Sequence, residues 1–422
     1  MTAMPAKILR QVSCDVKDIT LADAGKLRTE GAFQSMPVLQ IVRKQFIKTQ
    51  PFASSRIAAC LPLTAEFANL VILLKEGGAS VSLCASSPAT TQDEVAAHLA
   101  RDHGIPTFAS QGAPAGVFEE HLNAALEHRP NLVLDERASL TTHLMLKRSD
   151  LLPAIHGVVE LSAAGISRIR SICRNGTPFP ILSVAESRVV RLVENRHGWG
   201  QTAIDTITRT AGILLAGQTV VVSGYGFVGR GIAQHARGAG AHVVITEIDP
   251  AKALEALLDG FRVTSALDAS ESGDIFITAT GSKGILCRDH FTRMKNNAIL
   301  YNAGHSNVEI DVEVLARLAN SRRPTRSLTE EFRMNDGRRL YLIGEGRRIP
   351  TGLPAAVIDI NSAVTGLAID LLIRNQPRLE KCVHPACEEI DRTVARIKID
   401  SLNAKLDRQT TDQERYVPNG IE

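Results

Sequence analysis

Short apolar runs separated by amphipathic stretches recur along the chain and predict alternating strands and helices. The runs within 55–60, 71–83 and 130–135 form the first such series, and the last of them ends on a carboxylate. Buried strands that alternate with helices are typical of sheets covered by helices on both faces. The first part of the chain therefore predicts a doubly wound α/β layer.

A second series begins after a predicted helix at 200–217, whose final glycine is suited to end it. The elements predicted next are a buried strand at 218–223, a glycine turn at 224–229, a helix at 230–238 and a strand at 242–247. This succession has the length and order of a βαβ unit.

The glycine turn predicts a dinucleotide site. Gly224 permits a tight turn, Gly226 lets backbone N–H groups approach a pyrophosphate, and Gly229 lets helix and strand pack closely. Glu247 ends the next strand, where its carboxylate can accept hydrogen bonds from ribose hydroxyls and would repel a 2′-phosphate, so NAD is favoured over NADP. The predicted cofactor-binding residues are Gly224, Gly226, Phe227, Val228, Gly229, Glu247, Thr280 and Asn302.

Together the two series predict a two-domain α/β protein. A substrate-type, doubly wound domain spans 1–195 and is completed by 355–388, and a Rossmann-type NAD-binding domain spans 196–354. A long apolar helix at 355–374 returns the chain to the first domain, and 389–422 forms a C-terminal extension.

Composition narrows the classes of partner. With 44% hydrophobic residues, 22% charged residues and a net charge of +3, the chain is typical of a soluble globular protein with small or neutral partners. The basic group at 322–326 has no interleaved aromatics and predicts a solvated loop, so no nucleic-acid partner is expected. The chain shows no secretory signal, and no stretch reaches the apolar length of a membrane span. We therefore expect a cytoplasmic protein without a membrane partner.

Cysteines do not alter this expectation. The chain has 7 of them, an odd number that is scattered over its length, which favours reduced thiols over a disulfide framework. Cys382, His384 and Cys387 lie close together, but no second ligand pair stands at zinc-site spacing. No metal is predicted.

Several segments resemble the S-adenosylhomocysteine hydrolase family. They are 241–250, 302–311 and 345–347 and, more weakly, 59–66, 91–93, 134–135, 151–157 and 402–406. The resemblance implies common descent for both domains and a place in one-carbon metabolism. In that family a resident NAD oxidises the ribose 3′-hydroxyl, so that the 5′ thioether can be eliminated, water added and the ketone reduced again.

The resemblance also implies roles for individual residues. Thr64 and Glu66 stand where the family holds the adenine ring, and His305 stands where a family histidine faces the nucleoside. Glu194 and Asn195 occupy the positions of an Asp-Asn pair. Thr64, Glu66 and Asn195 are therefore the implied substrate-binding residues. For His305, a polar strand-end residue bonded to the backbone remains an alternative.

Other positions depart from the family pattern. The lysine that helps to deprotonate the 3′-hydroxyl aligns with Val190, the ribose-binding glutamate with Leu161 and the substrate aspartate with Glu136. A family histidine is replaced around 62–63, and its Gly-His-Pro loop is lost at 352–354. Apolar side chains at these positions would leave ribose hydroxyls without hydrogen-bond partners, at a free-energy cost of about 1–3 kcal/mol for each hydroxyl. We therefore expect a substrate other than S-adenosylhomocysteine.

Three readings of the function follow. The first is an enzyme that uses tightly bound NAD to oxidise a hydroxyl on a nucleoside-like or thioether molecule. The oxidation is either transient or permanent, and the enzyme is a hydrolase, lyase or oxidoreductase. The alternatives are a non-catalytic NAD-binding relative with a regulatory role and a true S-adenosylhomocysteine hydrolase with a rebuilt active site. The candidate catalytic residues are His305, Glu194, Glu136 and His197, with Arg188, Arg191 or His197 as substitutes for the lysine. A homo-oligomer, dimer or tetramer, is expected.

Overall fold

The computed structural model describes residues 13–174, 176–304, 306–349, 352–413 and 416. Its strands are β1 (Asp15–Val16), β2 (Arg56–Leu61), β3 (Ser80–Ala85), β4 (Thr107–Ala109), β5 (Leu132–Asp135), β6 (Gly157–Glu160), β7 (Ile181–Ser183), β8 (Thr219–Ser223), β9 (His242–Thr246), β10 (Arg262–Val263), β11 (Ile275–Thr278), β12 (Ala298–Asn302), β13 (Ala319–Arg326), β14 (Thr329–Met334), β15 (Arg339–Ile343) and β16 (Val383–Pro385).

The helices complete the alternation that the apolar pattern predicts. They are α1 (Ala22–Gln34), α2 (Pro37–Thr49), α3 (Ala65–Glu76), α4 (Asp93–Arg101), α5 (Ala115–Leu126), α6 (Ser139–Lys147), α7 (Ala163–Ile172), α8 (Arg188–Val190), α9 (Trp199–Ala211), α10 (Phe227–Gly238), α11 (Pro250–Leu258), α12 (Ala266–Ser272), α13 (Arg288–Arg293), α14 (Val312–Leu318), α15 (Ala355–Asn375) and α16 (Glu388–Ser401). Between α8 and α9 runs a wider π-helical segment, Arg191–Gly198.

The first sheet has eight parallel strands in the order β1-β4-β3-β2-β5-β6-β7-β16. Strand β2 is flanked by β3 on one side and β5 on the other, so the winding direction reverses between β2 and β5. In open parallel sheets, ligands bind beyond the carboxyl ends of the strands at such a reversal. The residues that follow β2 and β5 are therefore placed to form a site.

The second sheet has the order β10-β9-β8-β11-β12-β15-β14-β13. It is parallel from β10 to β15, and its own reversal lies between β8 and β11. The antiparallel strands β14 and β13 extend one edge. Both sheets have helices packed on them, and the predicted α/β fold with a Rossmann-type domain is confirmed.

The antiparallel edge corrects one prediction. The basic group at 322–326 forms part of β13, whereas a loop was predicted. Arg322 bonds Glu330 and Arg323 bonds Glu331 across the hairpin. Charged pairs of this kind suit an exposed edge strand. Each glutamate lies 8 residues after the arginine that it pairs with, so the run of basic residues alone does not predict these pairs.

The helix predicted at 200–217 ends earlier than expected. It stops at Ala211 because Gly212 takes a left-handed conformation with φ of 64°, and its N–H bonds the carbonyl of Thr208. Gly217, the expected end, lies in the following turn with φ of 80°. Both glycines relieve the steric cost of positive φ, and the first of them ends the helix.

Helix α15 returns the chain to the first domain. It is long and apolar enough to cross a membrane, which corrects the expectation that no stretch is, but 67% of that apolar window is buried inside the fold. It packs in the core of the first domain, where Asp359 accepts bonds from the N–H groups of Val38 and Leu39. Ile390 and Val394 of α16, in the predicted extension, belong to the same core.

Candidate active site between the two sheets

The glycine turn forms an open cradle at the start of α10. Gly224 has φ of 96°, and Gly226 is the last residue before the helix. A Cβ at Gly229 would overlap the carbonyl oxygen of Gly224, whereas a Cβ at Gly226 would meet no atom within 4 Å. The space beside Gly226, in line with the helix N-terminus, fits a pyrophosphate. Phe227 and Val228 follow it as the first residues of α10.

Glu247 lies at the end of β9, across from this turn. Its carboxylate accepts bonds from the N–H groups of Tyr225 at 2.7 Å, Ile248 at 2.7 Å and Asp249 at 3.0 Å. Burial acts to raise the pKa of Glu247, but the bonds from these three backbone groups outweigh it, and the pKa is lowered. The group is therefore held as an anion, as an acceptor of ribose hydroxyls requires.

Beyond β11, Thr280 is held by a carboxylate that sequence reasoning missed. Glu309, which is buried, accepts bonds from the Thr280 N–H at 3.0 Å, the Thr280 hydroxyl at 2.8 Å and the Gly281 N–H at 3.0 Å. Glu309 lies within the 302–311 segment that carries the family resemblance, which is the one signal that pointed to it. Its carboxylate fixes the loop at the β8/β11 reversal.

Asn302, at the end of β12, organises two loops. Its side-chain amide donates to the carbonyls of Ser306 at 2.6 Å and Gly346 at 2.9 Å, and its oxygen accepts from the Gly304 N–H at 2.7 Å. Predicted as a cofactor-binding residue, it thus shapes the backbone near the cofactor. His305, the predicted nucleoside-facing residue on this loop, lies outside the described residues.

The predicted substrate residues of the first sheet follow β2 and β5. Thr64 precedes the first residue of α3, and Glu66 lies in its first turn. Glu136 comes directly after β5, where its carboxylate accepts a bond from the Ser86 hydroxyl at 2.6 Å. The fold therefore brings Thr64, Glu66 and Glu136 to the one reversal point of the first sheet.

A buried carboxylate holds the turn that carries Glu136. Glu160, at the end of β6, accepts bonds from the N–H groups of Arg137 at 2.9 Å and Ala138 at 3.0 Å and from the Ser162 hydroxyl at 2.7 Å. Arg137 and Ala138 both have positive φ, at 68° and 53°. Burial, with the nearby charge of Asp135, raises the pKa of Glu160 well above its ordinary value.

Glu194 lies on the π-helical segment between the domains. Its carboxylate accepts a bond from the Asn361 side chain at 2.6 Å. Burial raises the pKa of Glu194, against the lowering effect of the bond from Asn361. The neighbouring Asn195 is half-buried on the same segment. Irregular helical turns of this type are frequent at functional sites.

The side chains expected in place of the family's polar groups are apolar and buried. Val190 is 2% exposed and Leu161 is 6% exposed, and both pack in the core of the first domain. Leu353, within the 352–354 segment, belongs to the same core. None of these three can exchange a proton or a hydrogen bond with a substrate.

The basic residues close in sequence to Val190 are exposed or have contacts of their own. Arg188 is exposed at the start of the hinge. The Arg191 guanidinium donates to the carbonyl of Ala185 at 3.0 Å and lies over the ring of Phe227 at 5.8 Å. His197 is exposed and packs edge-on against His235 of α10, with 6.2 Å between the ring centroids.

A residue that sequence reasoning did not consider brings a positive charge to this region. The guanidinium of Arg348 lies over the ring of Trp199, 3.7 Å from its centroid. Burial lowers the pKa of Arg348, while Tyr301, Glu136 and Glu194 act on it in the opposite direction.

Comparison with known proteins places this geometry in context. Residues 195–356 match the family model for the S-adenosyl-L-homocysteine hydrolase NAD binding domain, and residues 13–151 match that for S-adenosyl-L-homocysteine hydrolase. The chain is 42% identical to the adenosylhomocysteinase of Thermosynechococcus vestitus, covering 99% of this chain and 98% of that protein. It is 42% identical to the adenosylhomocysteinase of Aquifex aeolicus, covering 96% and 98%. The predicted cofactor, NAD, is confirmed.

Proposed function

The chain belongs to the S-adenosylhomocysteine hydrolase family, and we propose that it is an NAD-dependent enzyme that hydrolyses S-adenosylhomocysteine with a rebuilt active site. Sequence reasoning had ranked this reading below a different substrate. The observation that carries it is similarity over the whole length of relatives that are named adenosylhomocysteinase, at about 40% identity. Nothing in those relatives favours another substrate.

The cofactor half supports this function. The open side of Gly226 and the carboxylate of Glu247 would hold NAD at its pyrophosphate and its adenosine ribose. When bound, NAD supplies the oxidant for a substrate hydroxyl. The loop fixed by Glu309 and the turn fixed by Asn302 would line the path from the cofactor toward the first sheet.

The protein's own residues would bind and deprotonate the substrate. Thr64 and Glu66, at the start of α3, are placed to bind the base. Glu194 is the proton acceptor that we propose for the sugar hydroxyl, because burial raises the pKa of its carboxyl toward the neutral range where a general base works well. Glu136, at the reversal point of the first sheet, is placed to orient the same sugar.

A second candidate is oxidation of a different nucleoside-like or thioether molecule. The observation that favours it is the packing of Val190 and Leu161 in the core, since neither can satisfy a ribose hydroxyl. A substrate with fewer hydroxyls would need fewer hydrogen bonds from this part of the first domain than S-adenosylhomocysteine does.

One assay distinguishes the two candidate functions. The purified protein is first checked for NAD by mass spectrometry and then incubated with S-adenosylhomocysteine, while adenosine and homocysteine are quantified. Release of both products, lost in Glu194→Gln, is expected. An intact substrate together with a change in nicotinamide absorbance on adding another nucleoside thioether would favour the second candidate. No product and no change with any nucleoside would leave only a binding or regulatory role.

A further inference from the structure

The π-helical segment of the hinge packs along α10 of the NAD-binding domain. A Cβ at Gly231 would overlap the carbonyl oxygen of Arg196, so a glycine is needed for the two backbones to lie this close. The Arg196 Nε–H donates to the side-chain oxygen of Gln234 at 3.1 Å. Arg191, the first residue of the segment, contacts Phe227, the first residue of α10. The segment and the helix therefore run in the same direction, and their starts lie together.

This packing places Arg191 at the phosphate cradle. The guanidinium carbon lies 5.8 Å from the centroid of the Phe227 ring. Phe227 directly follows Gly226, beside which the cradle is open. Arg191 is half-buried, and its Nε–H donates to the carbonyl of Ala185 at 3.0 Å. The ring and this carbonyl orient the guanidinium, while the N–H groups on its terminal nitrogens have no acceptor among the described residues.

The charge of Arg191 is not matched by a carboxylate. In the part of the chain that the structure describes, no aspartate or glutamate forms an ion pair with it. Glu247, across from the glycine turn, has its oxygens bonded by the N–H groups of Tyr225, Ile248 and Asp249. A cation beside a helix N-terminus is unfavourable, because both are positive, unless an anion binds between them. A phosphate group is such an anion, and guanidinium groups often bind phosphate through paired hydrogen bonds.

We propose that Arg191 is a cofactor-binding residue that donates hydrogen bonds to the pyrophosphate of NAD. The backbone N–H groups at the start of α10 bind the phosphates from the NAD-binding domain, and the guanidinium binds them from the hinge. Bound NAD thereby joins the hinge segment to α10 through its phosphates. This role rests on NAD as the cofactor and is independent of the substrate that the protein hydrolyses.

Calorimetric titration of the full chain, freed of NAD, tests this role at low and at high salt. In Arg191→Met the affinity for NAD at low salt should fall about thirtyfold, as for the loss of a hydrogen bond between charged groups. The loss should be smaller at high salt, because salt screens the contact in the original protein. ADP-ribose, which keeps the pyrophosphate and lacks nicotinamide, should lose affinity by the same factor.

Arg196→Met is the matched control, because this arginine lies on the same segment but contacts Gln234, further along α10. It should bind NAD as the original protein does.

Unchanged NAD affinity in Arg191→Met would overturn the proposal, and so would a loss that is equal at low and high salt. Weaker binding of NAD with unchanged binding of ADP-ribose would also overturn it, since the contact would then be with nicotinamide. Should Arg191→Met not fold, Arg191→Gln gives the same comparison. Since the readout is binding and not turnover, failure of the proposed hydrolysis leaves this test intact.

Discussion

The cofactor half and the substrate half of this protein hold their carboxylates by different means. In the cofactor half, Glu247 and Glu309 are each satisfied by nearby loop N–H groups, and Glu247 has a lowered pKa. In the substrate half, burial dominates, and the pKa of Asp135 is raised to about 6 while those of Glu160 and Glu194 are also raised. The first half is prepared for a fixed anion contact, and the second for proton exchange.

This difference explains why the two halves tolerate change differently. A cradle made of backbone N–H groups depends on glycine positions and leaves little freedom for side chains. A pocket made of side chains can exchange one polar group for another. The cofactor half should therefore respond steeply to single substitutions, and the substrate half more gradually.

The steepest response is expected at Gly226. Because its Cβ position is empty in the protein alone, Gly226→Ala should fold normally but place a methyl group where the pyrophosphate binds. We expect NAD affinity to fall on the order of a thousandfold, or about 4 kcal/mol. Calorimetric titration of the NAD-free protein measures this. Gly238→Ala, an equally open position at the far end of α10, is the control and should bind NAD normally. Equal loss in both variants would contradict the role of the cradle.

The next effect concerns the buried pair in the substrate half. Asp135 has one oxygen bonded by the Thr141 N–H at 2.6 Å and the other without a partner among the described residues, with Glu160 beside it. Burial raises the pKa of Asp135 from 3.8 to about 6, so the fold favours its protonated form. The free energy of unfolding should then be highest below pH 3.8 for this group and fall as pH rises toward 6, by up to about 3 kcal/mol.

Asp135→Asn removes that titration. Urea unfolding between pH 4 and pH 7, a range spanning the pKa of about 6, should show a flatter dependence in the variant than in the original protein. Parallel curves for the two proteins would mean that Asp135 is ionised in the fold at no cost, and the contrast between the halves would lose one of its supports.

Much of the cofactor half could be predicted from the sequence because its determinants are local. The glycine turn, the strand before it and Glu247 lie within about 30 residues of one another, as a βαβ unit requires. Arg348 and Glu309 could not be predicted in the same way, since they belong to no such motif and the residues that they contact, Trp199 and Thr280, lie on other elements. The end of the helix before Gly212 was missed because two glycines, Gly212 and Gly217, each permit positive φ.

A third prediction tests whether the apolar side chain at position 190 can be replaced by a charged one. Val190→Lys puts an ammonium group into a side chain position that is 2% exposed and packed in the core. We expect a loss of about 2 kcal/mol in the free energy of unfolding, against less than about 1 kcal/mol for the apolar control Val190→Leu. Urea unfolding measures both. Unchanged stability together with higher hydrolysis of S-adenosylhomocysteine would show that the position still opens to the cleft.

The smallest effect is expected at Glu247. Glu247→Gln keeps the shape but loses the charge and one of the two acceptor oxygens, which bond the N–H groups of Tyr225 and Ile248 separately. A neutral amide in place of the carboxylate should weaken the hydrogen bonds to the ribose hydroxyls by about 1 kcal/mol. NAD affinity should fall about fivefold, which follows from that figure. NADP should lose less or gain, because the negative charge that would repel a 2′-phosphate is gone. Titration with each cofactor measures the ratio, and Asp249→Asn, which keeps its cap on α11, is the control. An unchanged NAD to NADP ratio would mean that the fixed anion of the cofactor half plays no part in cofactor choice.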